Sequence, residues 1–380
     1  MGFMAKNVDI CIRGSGIVAR SLALHLASKR LSVALTQGPE APAGNVSHSD
    51  VRAYALNQAS RTLLEAIRCW PEQNSATPVT CMQVHGDDGG NVEFKAQDQG
   101  VEALNWIVDV PALEGLLKEA VKFQPLIQTV QTPQPAALTV VCEGRSSATR
   151  SEFGVDFEVA PYGQSALATR VRCEKGHAQV ARQWFDKGEI LAFLPLGGPE
   201  GDVCAIVWSV SPERAKALQD ETEAAFCEAL QAASHGELGR LELTSPRNVW
   251  ALQHAQARRW SGTNPQGAWV LAGDAAHNVH PLAGQGLNLG LGDVAELVRI
   301  LDTRDYWRSV ADPKLLRQYE RARKADLAMI GNAGDSLQQL FANPHPALQA
   351  LRNWGMSGFE NSGLLKQWVT RRAMGTSNPR

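Results

Sequence analysis

Apolar positions along this 380-residue chain change their spacing several times, and each change marks an element. Residues 8–12 form a short apolar run, Ile17, Val18, Leu22 and Leu26 then recur at helical spacing, and a second run follows at 33–35. This predicts strand, helix, strand. The same order returns late in the chain: 269–271 is apolar, Gly273 and Asp274 close it, and Leu287, Leu291, Val294, Val298 and Leu301 fall three or four residues apart. Between these two units the period shortens. Residues 80–85 and 92–94 flank a turn and read as a hairpin, 105–108 as a third strand of the same sheet, and the runs 165–171, 179–184, 190–195 and 203–210 as consecutive strands of a mostly antiparallel sheet.

Helices are predicted over 62–67 and 111–121, and as one polar helix from 212 to about 233 capped by Ser211. Another carries Leu315, Leu316, Tyr319, Ala322, Met329 and Ile330, and a helical tail carries Leu337, Leu340, Leu348 and Leu351, with Trp354 and Phe359 beyond. The connector 122–137, with Pro125, Pro133 and Pro135, is too short for three strands of ~5–6 residues before the strand at 138–142.

Composition narrows the function. With 44% hydrophobic residues, 20% charged and a net charge of −2, the chain has no electrostatic character of a nucleic-acid binder. Its seven cysteines are scattered without paired spacing, which predicts reduced thiols and neither a disulfide nor a metal site. No apolar run approaches the ~18 residues of a membrane span. The first residues lack a secretory pattern, and Lys6 stands where a myristoylated start requires Ser or Thr. A cytoplasmic protein is expected, peripheral at a membrane face if it meets one.

Two segments carry candidate chemistry. Gly14-Ser15-Gly16-Ile17-Val18-Ala19 follows the first strand and opens a helix, the β-α-β dinucleotide fingerprint. Gly14 makes the tight turn, Gly16 lets the backbone approach a pyrophosphate, and Ala19 lets helix and strand pack closely. At the end of the second strand, Thr36 and Gln37 stand where an acidic residue usually holds the ribose, so Gln37 offers a neutral, weaker hydrogen bond. Arg13 either reaches a phosphate or ends its strand in solvent. The second segment runs from Gly273-Asp274-Ala275-Ala276-His277 to the loop at Pro281, Gly284, Gln285, Gly286, Leu287 and Asn288. Its glycines allow an electron-rich ring or anion close to the backbone, and the positive end of the following helix faces that ligand. His277 and His280 are expected to fix the loop by hydrogen bonds.

This second segment resembles the second flavin-binding motif of the class A FAD-dependent aromatic hydroxylases, which have the para-hydroxybenzoate hydroxylase-like fold, and most closely the subgroup that hydroxylates the ring of ubiquinone precursors. The segment from Arg52 to Leu56 resembles that family's Arg-x-x-Ala-Leu stretch near the flavin. Tyr162-Gly163-Gln164, Phe193-Leu194-Pro195-Leu196 and the Leu-Phe-Ala-Asn-Pro stretch around Phe341 fit the subgroup. Glu143-Gly144 followed by Ser147 stands where the family has Asp-Gly and Ser beside both nucleotides, and Glu143 adds a methylene to that acid.

The resemblance implies an α/β chain (α+β overall) with a Rossmann-like FAD-binding domain over 1–77, 109–150 and 260–330. An interleaved antiparallel-sheet substrate domain would occupy 78–108 and 151–259, and a helical tail 331–380. It implies FAD held by Gly14, Gly16, Ala19, Gln37, Arg52, Glu143, Gly144, Gly273, Asp274 and the 281–288 loop. It further implies NAD(P)H as co-substrate, O₂, an apolar phenolic substrate of the polyprenylphenol type, and flavin-driven chemistry with no acid–base triad. An alternative is a non-catalytic flavin-fold subunit of a quinone-biosynthesis complex, suggested by Gln37, Glu143 and the short connector.

Overall fold

Val8–Arg13, buried at Ile10, Cys11 and Ile12, is an interior strand of a six-stranded sheet. The computed structural model describes residues 8–37, 50–86, 90–278 and 286–342, with side-chain surroundings up to residue 328. His280, Pro281, Gly284, Gln285, Leu348, Leu351, Trp354 and Phe359 lie outside what is described, while Leu337, Leu340 and Phe341 fall within the last helix, described in backbone only. The sheet order is Ser261–Asn264, Gly267–Leu271, Ala136–Val141, Val8–Arg13, Val33–Thr36, Ile127–Val130. All neighbours are parallel except the edge strand Ser261–Asn264, and such a sheet is stable only when its faces are covered. The helices Ile17–Ser28, Val110–Lys122, Gly286–Asp302 and Pro313–Ala342 contribute Leu22, Leu113, Leu117, Val294, Leu297 and Leu316 to the core with it.

Three strands of this sheet end level with one another. Arg13 and Leu271 both sit opposite Val141, and the Cys142 and Ala272 amides donate to the carbonyls of Arg13 and Val141 at 2.7 and 3.0 Å. The loops beginning at Gly14, Cys142 and Ala272 therefore leave the sheet side by side, at the carboxyl ends where open parallel sheets bind ligands.

The larger sheet runs His277–Asn278, Asn248–Ala257, Phe157–Cys173, Val203–Val210, Glu189–Leu196, Val180–Asp186, Cys81–His85, Asn91–Lys95, with Leu241–Leu243 also paired to Phe157–Cys173. It is antiparallel except where Val180–Asp186 lies parallel to Cys81–His85. Alternate residues Leu167, Val171, Leu191, Phe193, Ile206 and Trp208 pack beneath two helices. Sequence periodicity predicts one helix there; the chain forms two, Pro212–Asp220 and Glu223–Ala233. Glu221 and Thr222 are extended, and Thr222 caps the second helix by accepting the Ala225 amide at 3.3 Å. The break lets Leu218, Phe226 and Leu230 all reach one core.

The strand Asn105–Asp109 is also placed differently from expectation. It pairs with Ala53–Leu56 and Ala76–Val79 in a separate three-stranded sheet, not with the hairpin Cys81–His85 and Asn91–Lys95. Ala55, Val79 and Ile107 on one face pack towards the larger sheet, and Leu56, Ala76, Trp106 and Val108 on the other towards the parallel sheet's core. One helix, Pro313–Ala342, crosses the boundary expected between residues 330 and 331.

Gly290 marks the closest approach of Gly286–Asp302 to the first helix: an added Cβ would lie 2.8 Å from Val18 Cγ2 and 3.6 Å from Gly273 Cα. Overpacking a tight contact costs about 1–3 kcal/mol. Gly290→Leu is therefore expected to lower the urea midpoint by a corresponding amount with the slope unchanged, and an unaltered midpoint would mean that the two helices can separate freely.

Candidate functional site

The three loops and one face of the larger sheet enclose a single cavity of about 1060 Å³. Gly14 has φ +129 and an added Cβ would fall 2.3 Å from the Cys142 carbonyl oxygen, so only glycine makes this turn. At Gly16, Gly144 and Gly286, by contrast, an added Cβ would meet nothing within 4 Å, and all three residues line the cavity. Bare backbone from three distant segments thus faces one space. Gly16 is the N-cap of Ile17–Ser28, and no side chain accepts the first amides of that helix. Such an N-terminus is suited to a bound anion.

The loop after Ala136–Val141 is tied by its own side chains. Glu143 accepts from Ser147 Oγ at 2.7 Å, the Thr149 amide at 3.1 Å and Thr149 Oγ1 at 2.6 Å. Its carboxylate, expected to serve the nucleotides, is engaged within the loop, where its extra methylene lets it span residues 147–149. Arg150, which the sequence reading passed over, is buried; it donates to the carbonyls of Arg145 at 2.7 Å and Ala275 at 3.1 Å and lies over the Phe157 ring. It joins two of the three loops. Arg13 takes neither of its expected roles, because it reaches sideways to Thr149 at 3.0 Å and Glu152 at 2.9 Å.

Arg52 and Asp50 form a two-pronged ion pair, Nε to Oδ1 at 2.8 Å and Nη2 to Oδ2 at 2.5 Å, which raises the guanidinium's pKa and, against burial, lowers the carboxyl's. Arg52 and Tyr54 line the cavity, and burial pushes the Tyr54 phenol up. Arg170 reaches from the larger sheet to Asp109 and to the Asp50 and Val51 carbonyls, pinning this corner to Phe157–Cys173. Gln37 also lines the cavity, and its Oε1 accepts from Gln131 Nε2 at 2.7 Å, so that its own amide hydrogens are not used in that contact.

Asp274 lines the cavity and is solvent-exposed there. Desolvation by the surrounding protein raises its carboxyl pKa, with His277, Arg145 and Arg52 pulling the other way. Directly behind it, Asp293 is fully buried: Oδ2 accepts from the Gly273 amide and from His277 Nε2, both at 2.7 Å, and Oδ1 from Arg323 Nε at 2.7 Å. Trp260 stacks on His277 with ring centres 4.9 Å apart. Burial alone would raise the Asp293 pKa, but His277 and Arg323 hold it below the ordinary value.

Of the expected site residues, Gly14, Gly16, Gln37, Arg52, Glu143, Gly144, Gly273, Asp274, Gly286 and Leu287 share this cavity. Ala19 lies in the core, and Asn288 is turned away from the cavity. The Asn288 amide bridges Ala53–Leu56 and the following helix, accepting from the Asn57 amide at 3.0 Å and Ser60 Oγ at 2.7 Å and donating to Ala55 O at 2.7 Å. Pro281, Gly284 and Gln285 lie outside the described residues.

Residues 127–330 match the family model described as FAD binding domain. The chain belongs to this FAD-binding family. The 3-demethoxyubiquinol 3-hydroxylase of Escherichia coli (strain K12) is 29% identical over 97% of this chain and 99% of its own length. The ubiquinone hydroxylase UbiL of Rhodospirillum rubrum is 29% identical over 99% of this chain and 91% of its own. Among solved structures, pqsL, a probable FAD-dependent monooxygenase from Pseudomonas aeruginosa, superposes with a TM-score of 0.75 at 20% identity, covering 93% of this chain and 100% of that one. At that identity the likeness is one of fold. Family and relatives together place the chain among the flavin-dependent hydroxylases. The cavity's bare glycine backbone, uncapped helix end and polar Gln37 and Asp274 fit the diphosphate and hydroxyl-bearing chains of FAD.

Removing one member of a buried ionic network strands the others, at about 3–5 kcal/mol. Asp293→Ala should lose that much stability in chemical unfolding, which a peripheral role would not produce. The folded carboxyl lies below its unfolded value, so its contribution is complete above ~pH 4 and disappears as pH falls through the folded value. Wild type should consequently lose more stability on acidification from about pH 5 to pH 3 than Asp293→Asn does.

Proposed function

We propose that the chain hydroxylates an apolar phenolic ring, a polyprenylphenol precursor of ubiquinone, using FAD, NAD(P)H and O₂. The observation that carries this reading is the two-sided character of this cavity. Opposite the glycine loops, its wall includes Ala166, Ala168, Ala205, Val207, Trp250 and Leu252, which lie two apart on three neighbouring strands and share one face of the sheet, with Ile206, Ala251 and Gln253 also reaching the lining. The alanine methyl groups leave depth beside the cofactor side, and no Asp, Glu, Lys or Arg of Phe157–Cys173, Val203–Val210 or Asn248–Ala257 lines it.

Bound against the loops, FAD supplies electron transfer and oxygen activation. The chain's own groups hold and orient. In this reading the first amides of Ile17–Ser28 and the backbone at Gly14, Gly16 and Gly144 receive the diphosphate, Gln37 donates to the ribose, and Asp274 accepts from the ribityl hydroxyls. Gly286 and Leu287 bring the positive end of their helix to the ring, favouring negative charge there. Arg52, held by Asp50, and Tyr54 stand at the seam where the apolar wall begins, and the alanine face excludes water from the reacting ring. The residues from 78–108 and 151–259 would serve the substrate, and 1–77, 109–150 and 260–330 the cofactor. An attached prenyl chain is also the reason to include contact with a membrane surface or a biosynthetic complex in the proposal.

Full-length protein is expected to bind FAD in a fluorescence titration, and Asp274→Ala to weaken it roughly ten- to a hundredfold, the worth of a hydrogen bond to a charged acceptor. Equal affinity in the variant would remove Asp274 from the site.

The substrate claim is tested by coupled NAD(P)H oxidation and product analysis. A prenylphenol should be hydroxylated in preference to p-hydroxybenzoate, and Ala168→Leu, which fills the methyl-lined bay, should raise KM for the prenylphenol with FAD affinity unchanged. Better coupling with p-hydroxybenzoate would overturn the assignment.

A further inference from the structure

We infer that Arg145 is the counter-ion for the diphosphate of a dinucleotide held in this cavity, an inference that rests on the FAD-binding reading above. Among the described residues the cavity presents two guanidinium groups, Arg52 and Arg145. Arg52 is matched by the two-pronged contact with Asp50. Arg145 has no side-chain hydrogen bond and no ion pair among the described residues; its side chain is half-buried, and its charge reaches Asp274 through space.

The backbone beneath Arg145 is fixed. Gly144 bends the chain at φ +77, the carboxylate of Glu143 is engaged by Ser147 and Thr149, and the Arg145 carbonyl accepts from buried Arg150 at 2.7 Å. A loop anchored on both sides of one unpaired cation presents that cation in a set position, as anion recognition requires.

The neighbouring surface points to the kind of anion. The loop abuts Gly14, where an added Cβ would strike the Cys142 carbonyl, and Arg145, three residues on, lines the same cavity as Gly14, Ser15 and Gly16 at the start of Ile17–Ser28. That helix begins without a side-chain cap and without an acidic residue in its first turn. Opposing these positive features, Glu114, Glu143 and Asp274 also line the cavity and would repel a doubly charged ligand. A planar guanidinium in the same cavity as the helix terminus offsets that repulsion, and its fork suits phosphate oxygens better than an ammonium does. The diphosphate can be that of FAD or that of the nicotinamide nucleotide, which are chemically alike.

The experiment titrates the full-length apoprotein and its Arg145→Gln and Arg145→Lys variants with FAD and with riboflavin, which lacks phosphate. Stopped-flow flavin reduction, with FAD saturating, then gives the apparent Kd for NADH and NADPH. Arg145→Gln should weaken FAD roughly ten- to a hundredfold and leave riboflavin unchanged if the diphosphate is the flavin's. If it is the nicotinamide nucleotide's, FAD affinity holds and the reductant's Kd rises by that factor. In either case the lysine variant should recover part of the loss, and the affected Kd should depend less on salt in Arg145→Gln than in wild type.

Unchanged Kd values for all ligands would overturn the inference, as would parallel losses of FAD and riboflavin, which report a disturbed loop. Wild-type protein that binds no FAD would instead sink the FAD reading itself.

Discussion

The fully buried carboxylate of Asp293 is the contact on which the cofactor side of this fold depends. It receives the amide of Gly273, the imidazole of His277 and the guanidinium of Arg323, and so joins the end of the strand Gly267–Leu271, the turn after it and the two long helices at one point. The Gly273 amide would otherwise be an unsatisfied donor at the base of the turn that displays Asp274. The exposed acid that faces the cavity is therefore supported by a buried acid that does not. Tyr319, donating to the Leu271 carbonyl at 3.1 Å, repeats the arrangement one turn earlier on Pro313–Ala342.

Much of this was legible in the sequence wherever the backbone itself makes the demand. Gly14 is required by its φ and by the nearness of Cys142, and Gly16 and Gly286 by open space that side chains would fill. Local demands of this kind leave a fixed residue at a fixed spacing. The apolar periods likewise marked Val8–Arg13, Val33–Thr36, Ala136–Val141 and Gly267–Leu271 in one large sheet and Cys81–His85, Asn91–Lys95, Val180–Asp186, Glu189–Leu196, Val203–Val210 and part of Phe157–Cys173 in the other. They did not mark Ile127–Val130, Ser261–Asn264, Leu241–Leu243 or Asn248–Ala257. What stayed hidden depends on partners far away in the chain. Asp293, Arg323 and Arg150 look like ordinary polar residues until the fold surrounds them. For Asp293 a signal was present: it lies between Leu289, Leu291, Val294 and Leu297, all buried, so it shares the apolar phase of its helix.

The misplacements have similar causes. Asn105–Asp109 is apolar at Trp106, Ile107 and Val108 because both faces of its small sheet are covered, and a continuous apolar run does not say which strands it pairs with. The division of the helix at Glu221 and Thr222 was readable in principle from Thr222 as a cap followed by Glu223 in the first turn, yet a polar helix surface on either side masks it. Asn288 was assigned to the cofactor through its position in a motif, and instead its amide satisfies Ala55, Asn57 and Ser60. It acts on the site at one remove, by fixing the strand that carries Tyr54.

The three-stranded sheet Ala53–Leu56, Asn105–Asp109, Ala76–Val79 belongs to neither large sheet and has apolar side chains on both faces. It acts as a septum. Rotating one large sheet away from the other would unpack both of its faces at once and strain the Arg170 contacts with Asp109 and the Asp50 carbonyl. The septum thus ties the orientation of one large sheet to that of the other from both of its faces, so that the two walls of the cavity keep their relative placement through side chains that line neither.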